Sequence, residues 1–481
     1  MSGLRANASF GKPTEALSPQ ERLAGKVGGM RKPEAAFVSF GEVNTPKEII
    51  ERKSQQASEL LRSNGIELHS TAPVTDDPAA KDALRAISEL ARTEVDLVIA
   101  CVAGWIPTHA VIRVLSEFRH LPILLWGLSG WTESGRLVTT ADQAGTTALR
   151  QTLEELDFKF KYVPSYFDAP PPTDKLTSFA RAAAAAKDLH NARIGSMGYR
   201  DMNLYATLYD GVSLRRVLGV ETEFFEMLEI FQRSEHQEPK TVQAVVDHAL
   251  SKWTFDKPAP RDVLEKGARY YLAIREKVVE RNYQGVTLID VDGMKKLLKF
   301  PPAMVFMLLA DELNICTIPE NDMLGAATQL MTRALTGQIA AYLEFYEFFG
   351  NGALMGVPDY VPSEIVEGPV RVTPSSFGEL AGGVLNVSRL KTGPVTLCRL
   401  AQSRGRYVLH LALGEAIAPR AWEEAGWAPP APQLPSLEFV LDGDMGEFAQ
   451  NVMGQHYILS YGDNSGAFDD FCRLRGIEIL R

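Results

Sequence analysis

The sequence predicts a mixed α/β protein, with two doubly wound α/β domains followed by a C-terminal antiparallel β-barrel-like domain. From residue 35 to about residue 350, short apolar runs alternate with amphipathic helical segments, which is typical of parallel sheets covered by helices on both faces. A proline-rich stretch, SYFDAPPPTDK at 165–175, divides this region in two. Between 360 and 440, short β-type runs are separated by Gly and Pro, which favours an antiparallel architecture.

The first α/β domain is predicted to span residues 31–165. Its strands are the apolar runs AAFVSFG, DLVIACV and LPILLWGL. The segment EIIERKSQQASELLRSNG follows the first run as a helix that ends before Gly65, and THAVIRVLSEF follows the second run as another helix. Residues 1–30 carry no apolar signal-peptide region, and we expect them to form a mobile arm or to wrap a partner subunit.

The second α/β domain is predicted to span residues 166–352, and the β domain to span residues 353–481. The second domain should contain the strands ARIGSMG, ETEFFEM, GVTLIDV and NICTIP, with helices over 242–281 and 301–312. The β domain should be built from the runs VRVTPSSF, GGVLNVSRL, GPVTLCRLAQ, RYVLHLALG and LEFVL.

Composition excludes several classes of function. The chain has 481 residues and a net charge of −10 with acids and bases interspersed, which argues against a nucleic-acid binder with a basic stripe. Its four cysteines form no CxxC pair, which excludes a zinc knuckle and suits a reduced, cytoplasmic setting. No stretch reaches the roughly 18 apolar residues that span a membrane. No GxGxxG or GxxxxGK[ST] motif indicates a nucleotide site.

The stretch TIPENDMLGAATQLMTRALTG places Glu320 at the carboxyl end of a strand, where ligands bind in open α/β sheets. The following run QIAAYLEFYEFFGNG is predicted to be a strand. Its alternation puts Glu344 on one aromatic face, with Ala340, Tyr342, Tyr346 and Phe348. Taken as consecutive strands of one sheet, the two segments should bring both acids together. A buried carboxylate is costly unless it is paired or bound to a metal.

Structural roles remain open for the same residues. Asn321 or Asp322 would cap the helix over 322–335. Glu320 would then be an acid near the start of that helix, where the helix dipole favours negative charge. Glu344 could keep an edge strand soluble.

Other residues near these segments also have two interpretations. His456 opens the apolar run in GQHYILSYGDNSGAF and is either a satisfied core residue or a third ligand. Two carboxylates and an imidazole suit a divalent ion such as Mn²⁺. Lys295 and Lys296 are expected on a solvated helix face.

These segments, in this order, resemble the L-fucose isomerase and L-arabinose isomerase superfamily. In L-fucose isomerases a PEND segment, a helix, an LTG turn and a second acid follow one another with similar spacing, and 24 residues separate Glu320 from Glu344 here. HYILSYGDNSGAFDDFCRLRGI resembles the family's C-terminal segment with its metal-ligand histidine. GVTLIDVDGMKKL resembles the segment before the first acid, and DLVIACVAGW a first-domain strand that ends in tryptophan. The similarity covers residues 35–481.

The resemblance implies a metal-dependent aldose–ketose isomerase, an intramolecular oxidoreductase of carbohydrate metabolism that works through a cis-enediol. Glu320 and Glu344 would bind Mn²⁺, or another divalent ion, and act as the acid–base pair, and His456 would complete the protein ligands. Trp105 would reach the substrate pocket of a neighbouring subunit, and Met202 would line that pocket. The family also implies a homotrimer or homohexamer with sites shared between subunits.

The departures from the family bear on the substrate. No histidine stands in FGNGALMGVPDYVP, where the arabinose branch has a further metal ligand, and Met294 replaces a glutamine that touches substrate in the fucose branch. Arg200 in SMGYRDM would favour an anionic substituent, which indicates a sulfo- or carboxy-hexose such as sulfoquinovose. The alternative is that Arg200 pairs with Asp201 or faces solvent, and that the sugar is neutral.

Two further residues are predicted to touch the substrate. Gln455 precedes His456, and Trp427 lies in the proline-rich loop AWEEAGWAPPAPQLPS, where it would stack on a sugar or else pack on the β domain. A non-catalytic sugar-binding protein on the same scaffold, or an epimerase or lyase with the same metal and acids, remains the rival interpretation.

Overall fold

The protein is described here by a computed structural model that covers residues 30–357, 360–377, 381–424 and 433–481. The predicted N-terminal arm, apart from Met30, and the predicted substrate contact Trp427 lie outside the described residues. None of the described helices is long and apolar enough to cross a membrane.

The first part of the chain forms a parallel five-stranded sheet with the strand order β2-β1-β3-β4-β7. The six residues of LVIACV are all buried, because helices cover both faces of this sheet. Helix α1 buries Ile50, Ala57 and Leu61 against it. The elements are β1 (Glu34–Phe40), α1 (Lys47–Ser63), β2 (Glu67–Ser70), α2 (Lys81–Leu90), β3 (Leu97–Val102), α3 (Thr108–Ser116), β4 (Ile123–Gly127), β5 (Trp131–Glu133), β6 (Arg136–Val138), α4 (Asp142–Glu155) and β7 (Phe160–Pro164).

The second part forms a parallel four-stranded sheet with the order β12-β11-β8-β9. Because the chain runs from β8 outward to β9 and returns to β11 on the other side, the order reverses between β8 and β11, where ligand sites form in such sheets. The elements are α5 (Thr173–His190), β8 (Arg193–Met197), α6 (Gly211–Leu218), β9 (Glu221–Phe225), α7 (Met227–Glu235), α8 (Pro239–Lys252), β10 (Thr254–Phe255), α9 (Arg261–Arg281), β11 (Gly285–Leu288), a π-helical turn (Asp290–Lys295), α10 (Ala303–Leu313), β12 (Cys316–Ile318) and α11 (Met323–Thr336).

The third part contains a closed antiparallel barrel of six strands, in the order β19-β22-β13-β14-β21-β20 and back to β19. Alternate side chains such as Leu343, Leu397 and Tyr457 fill its interior. The elements are β13 (Ala341–Phe349), β14 (Gly352–Gly356), a 3₁₀ turn (Ser363–Ile365), β15 (Val366–Glu367), β16 (Arg371–Phe377), β17 (Ala381–Asn386), β18 (Arg389–Leu390), β19 (Gly393–Ser403), β20 (Arg406–Ile417), β21 (Ser436–Leu441), α12 (Met445–Gln450), β22 (His456–Tyr461), α13 (Ser465–Arg475) and β23 (Glu478–Leu480).

The predicted class is therefore confirmed as a mixed α/β protein with parallel sheets and an antiparallel barrel, but two strand assignments are wrong. The strand that carries Glu344, β13, pairs with β22 and β14 of the barrel and not with the second parallel sheet. The runs predicted at β16 and β17 lie outside the barrel and form a three-stranded sheet with β10. Both errors have one cause: alternation reports which face of a strand is buried, but not which strand is its neighbour.

One apolar cluster joins the parallel sheets to the barrel. It includes Ile99 of the first sheet, Ala183 of α5, Ala327 of α11 and Ile458 of β22. Helix α5 contributes a run of buried alanines, whose small side chains allow neighbouring elements to approach its backbone closely. The barrel thus packs its outer face on α11, which starts at the predicted site.

His410 is buried in the barrel, with its Nδ1 2.6 Å from the hydroxyl of Tyr457 and its ring 4.7 Å from that of Phe448. Burial lowers the pKa of His410 to about 4. The unfolded chain has an ordinary histidine pKa, so between these two values the unfolded state binds more protons than the folded state. Acidification through this range therefore removes stability.

We predict that replacing His410 with Gln flattens the acid side of the stability curve. The wild type should lose about 1–3 kcal/mol of unfolding free energy through this histidine between neutral pH and pH 4, and the variant should lose less. Urea unfolding across this pH range measures the difference. His120→Gln, at an exposed position, is the control and should follow the wild type. Identical slopes for all three proteins would contradict the assignment.

Candidate metal and active site

The candidate site is built on an unusual turn after β12. Glu320 and Asn321 both have left-handed backbone conformations, with φ of 62° and 49°. Such a conformation costs roughly 1–2 kcal/mol per non-glycine residue and persists only where the surroundings hold it. Here the Glu320 N–H donates to Oδ1 of Asp290 at 2.7 Å, and the Asn321 N–H donates to the Leu288 carbonyl at 3.1 Å.

The side chain of Asn321 ties the turn to a third strand. Its Nδ2 donates to the Met197 carbonyl at 2.8 Å and to Oγ of Ser196 at 3.2 Å. Together with the bonds to Leu288 and Asp290, these contacts join the carboxyl ends of β12, β11 and β8. The turn therefore lies at the point where the strand order reverses.

Asp290 is paired with a buried lysine, Lys295, which was expected on a solvated helix face. Lys295 is 1% exposed, and its Nζ lies 3.0 Å from Oδ2 of Asp290. The predicted solvated face is correct only for Lys296, which is half exposed and pairs with Asp292 at 2.6 Å. The cause is the π-helical turn, in which the Met294 N–H donates to Ile289 five residues back. That turn rotates Lys295 inward relative to a 3.6-residue helix.

A second buried acid, Asp201, fastens the loop after β8 to the same turn. Its carboxylate accepts the N–H groups of Val291 and Asp292, each at 2.7 Å. Burial, together with the neighbouring Asp290, raises the pKa of Asp201 to about 7. Met202, the predicted pocket residue, is half-buried in this loop and donates its N–H to Asp292 at 2.8 Å.

Glu344 and His456 come from the barrel, where they are direct cross-strand neighbours on β13 and β22. The adjacent residues Leu343 and Tyr457 point to the barrel interior, so Glu344 and His456 project from its outer face. Nε2 of His456 lies 2.9 Å from Oε2 of Glu344. The imidazole stacks on the ring of Tyr342 at 4.4 Å, which fixes its orientation.

The structure brings Glu320, Glu344 and His456 together. One ligand atom from each lies within 4.8 Å of the others, and Nδ1 of His456 is 3.7 Å from Oε2 of Glu320. The predicted route to this convergence is wrong, because Glu320 follows β12 of the second parallel sheet and Glu344 lies on β13 of the barrel. The convergence of the two acids was expected from the residues, whereas His456 was left open there, and the assignment of all three as metal ligands stays a prediction.

The predicted alternation along β13 holds only as far as Glu344. A β-bulge between Phe345 and Glu347 leaves Tyr346 as an extra residue. Beyond it Phe348 packs on Phe345, with ring centroids 5.1 Å apart, and Phe345 packs on the interior cluster of the barrel. We expected Phe348 on the same face of the strand as Glu344. It lies on the opposite face, because the bulge reverses the alternation.

Asp322 performs the structural role that was left open for it. It is the N-cap residue of α11 and accepts the Gly325 N–H at 2.9 Å, so the capping interpretation is correct for Asp322 and wrong for Asn321. Its carboxylate also binds the buried guanidinium of Arg399 through two hydrogen bonds, at 2.5 and 2.9 Å, and accepts the hydroxyl of Tyr342. Burial opposes the charged form of Asp322, but Arg399 outweighs it and lowers the pKa.

The pKa of Glu320 is shifted in the opposite direction to that of Asp322. Burial, with the nearby carboxylates of Asp290 and Glu344, raises the pKa of Glu320 to about 9. Its Oε2 is buried and has no hydrogen-bond partner among the described residues. Such an oxygen is costly unless a proton or a cation compensates it. Oxygen, oxygen and imidazole nitrogen form a donor set that suits Mn²⁺ and related divalent ions.

Three other predicted residues lie outside this cluster. Trp105 is 38% exposed, at the carboxyl edge of the first sheet. Arg200 donates Nε to the Leu204 carbonyl at 2.9 Å and lies 4.3 Å from the ring centre of Tyr205. The alternative in which Arg200 pairs with Asp201 is wrong, because Asp201 accepts main-chain N–H groups instead. Gln455 is exposed beside His456.

Comparisons with known proteins add no identification. No protein family and no curated protein matches the chain. A search of solved structures finds an ABC transporter solute-binding protein from Burkholderia multivorans, whose unknown ligand is represented as α-D-erythrofuranose. It is 12% identical over 59% of this chain and 92% of its own, with a TM-score of 0.18.

Two further structures in that search are ABC transporter binding proteins. The periplasmic solute-binding protein from Actinobacillus succinogenes 130z with bound D-allose is 12% identical, over 63% of this chain and 92% of its own, with a TM-score of 0.17. The arabinose transporter component from Shewanella sp. ANA-3, bound to α- and β-L-arabinofuranose, is 11% identical, over 63% and 86%, with a TM-score of 0.15. Similarity this low carries no argument about function.

We predict that Arg399→Met destabilises the fold by about 3–5 kcal/mol, because it leaves the Asp322 carboxylate buried without its partner. The double variant Arg399→Met/Asp322→Asn should recover part of this loss, since no uncompensated charge remains. Urea unfolding measures both. Arg150→Met is the control on an exposed ion pair. Arg150 pairs with Glu154 on α4, and 50% and 57% of the two side chains are exposed, so the loss of Arg150 should cost at most about 1 kcal/mol. Equal losses at the two arginines would contradict the argument.

Proposed function

We propose that this protein is a metal-dependent aldose–ketose isomerase whose centre is formed by Glu320, Glu344 and His456. The observation that carries the proposal is the approach of these three side chains, contributed by two different sheets, to within 4.8 Å. A structural role explains Asp322 completely, but it gives no reason for the orphaned Oε2 of Glu320 to be buried beside another acid and an imidazole. A binding protein without chemistry to perform would not need this arrangement.

The donor set fits a divalent ion, with Mn²⁺ as the expected one. Glu320, Glu344 and His456 would hold it, and three protein ligands leave coordination positions for a substrate. When bound, such an ion polarises a carbonyl and stabilises the negative charge of an enediolate. The hydrogen bond to Asp290 holds the main chain of Glu320, and the ring of Tyr342 orients the imidazole of His456, as supporting residues do at metal sites.

The carboxylates supply the proton transfers of the reaction. Isomerisation of an aldose removes the proton from C2, forms a cis-enediol and returns a proton at C1, while the O2 proton moves to O1. One carboxylate would carry the carbon-bound proton and the other the hydroxyl proton. A cation bound beside Glu320 would offset its burial and the nearby carboxylates, and would favour the ionised form that can accept a proton. An exposed position beside His456 would allow Gln455 to contact the sugar.

The finer parts of the proposal concern the substrate and the assembly. We propose an anionic hexose, with a sulfo or carboxy group, because Arg200 stands in the loop that Asp201 fastens to the site. We also propose that Trp105, exposed at the edge of the first sheet, reaches the site of a neighbouring subunit in a homotrimer or homohexamer.

We predict that Glu320→Gln lowers kcat at least about a thousandfold on any sugar that the wild type converts, because it removes a base and a ligand together. Proton NMR in D₂O with Mn²⁺-loaded protein and a panel of neutral and anionic aldoses measures ketose formation and deuterium uptake. Calorimetry should show weaker Mn²⁺ binding by the variant, and circular dichroism an unchanged fold.

Glu347→Gln is the matched control, since this exposed glutamate lies three residues beyond Glu344 on the same strand. It should retain wild-type activity and metal affinity. Substantial turnover by Glu320→Gln would remove Glu320 from the mechanism. Mn²⁺ binding by the wild type without turnover of any sugar would favour a binding protein.

We predict that Arg200→Ala lowers kcat/KM for anionic sugars about tenfold or more, with a much smaller effect on neutral sugars, because it removes a charge-assisted hydrogen bond. The same NMR assay gives both values. Arg216→Ala changes another exposed arginine and should affect neither class. Equal losses on both classes would mean that Arg200 only supports its own loop through Leu204, which would reject the charged substrate and leave the isomerase proposal intact.

A further inference from the structure

A cleft of about 500 Å³ opens at the carboxyl edge of the first sheet. Its residues belong to a different sheet, and to an earlier part of the chain, than the predicted metal ligands. It lies between one face of α1 and the segments that follow β4 and β7. Arg52, Gln56 and Leu60 recur every fourth residue along α1 and so share the face that lines it. Its size and its place at the ends of parallel strands are those of small-molecule sites.

An aromatic ring forms the opposite wall of this cleft. Trp131 is half-buried at the start of the β5–β6 hairpin, where it is paired with Val138. The guanidinium of Arg52 lies 4.8 Å from its ring centre, and Nζ of Lys53 lies 5.9 Å from it. Tyr166, 58% exposed, stands at the rim.

Hydrogen bonds from Gln143 and Trp126 hold the segments that form the walls of the cleft. Nε2 of Gln143, at the start of α4, donates to the carbonyls of Leu128 at 2.9 Å and Ser165 at 3.0 Å, so that it joins the segments after β4 and β7. Nε1 of Trp126 donates to Oγ of Ser165 at 2.9 Å. A site held in this way needs little reorganisation when a ligand binds.

The charged side chains that line the cleft all carry the same sign. Of the side chains that line it in the described part of the chain, Arg52 and Lys53 are cationic and none is acidic, although the whole chain carries a net charge of −10. Lys53 is buried and already bonded to Asp142 and to Oγ1 of Thr140. Arg52 is different: it is exposed, and no described residue accepts a hydrogen bond from its guanidinium. Because Arg52 also lines the cleft, its donors are available to a ligand there.

We propose that this cleft is a second ligand site, which binds a small organic anion. The body of the ligand would pack against the apolar lining of the cleft, which includes Leu60, Leu128 and Trp131, and its carboxylate, sulfonate or phosphate group would accept hydrogen bonds from Arg52. A planar guanidinium binds such groups through two parallel hydrogen bonds. This proposal rests on the residues that line the cleft and not on the proposed isomerase activity.

The test uses two nearly isosteric probes that differ in charge, 2-naphthoate and 2-naphthamide. Chelator-treated full-length protein is used, so that the carboxylate cannot bind a metal. Calorimetry and saturation-transfer NMR should show that naphthoate binds with a Kd of about 1 mM or tighter. Naphthamide should bind about tenfold more weakly, since it lacks the charged contact with Arg52.

Variants locate the binding. Arg52→Gln should abolish the difference between the two probes, and Arg52→Lys should restore part of it. Trp131→Ala should weaken both probes, because it removes an apolar wall of the cleft. Arg62→Gln is the matched control, an exposed arginine on the same helix outside the cleft, and should behave as the wild type. Equal binding of the two probes to the wild type, no saturable binding of naphthoate, or a probe preference that survives Arg52→Gln would overturn the proposal.

Discussion

The candidate centre depends on the left-handed turn at Glu320 and Asn321. A chain that followed its local preferences would not place two non-glycine residues in this conformation one after the other. The hydrogen bonds to Asp290 and from Asn321 to Met197 stabilise it, and they connect it to the carboxyl ends of two other strands, β11 and β8. The position of the Glu320 carboxylate is thus set by the whole parallel sheet, and the buried pair of Asp290 and Lys295 is part of that support.

The other half of the centre comes from the barrel, so its geometry depends on how the two layers meet. The ion pair between Asp322 and Arg399 crosses this boundary, since Asp322 caps α11 and Arg399 belongs to β19. Buried ion pairs contribute little net stability but penalise arrangements that separate them. In this chain the pair fixes the relative position of the layers within a few residues of Glu320, and Tyr342 links the same carboxylate to the strand of Glu344.

Much of the fold follows from local pattern, whereas the long-range contacts do not. The apolar run of β3, the Gly337 end of α11 and its Asp322 cap are readable because each depends on neighbouring residues. The barrel membership of β13 was missed because alternation does not identify a partner strand. Lys295 was misplaced because a π-helical turn departs from the helical period. Asp290 carries no local signal at all, since its importance lies in the distant N–H of Glu320. The grouping with His456 came from the family resemblance and could not be derived from spacing.

The closure of the barrel has a consequence for how such a protein could diversify. A closed sheet has no free edge along which a strand can slip, so the cross-strand pair of Glu344 and His456 stays in register whatever happens at its surface. Substitutions in the loops after β8 and β11 could therefore reshape the neighbouring cavity while two of the three ligands remain in place. The barrel would then keep two of the ligands constant, while the loops of the parallel sheet change the specificity.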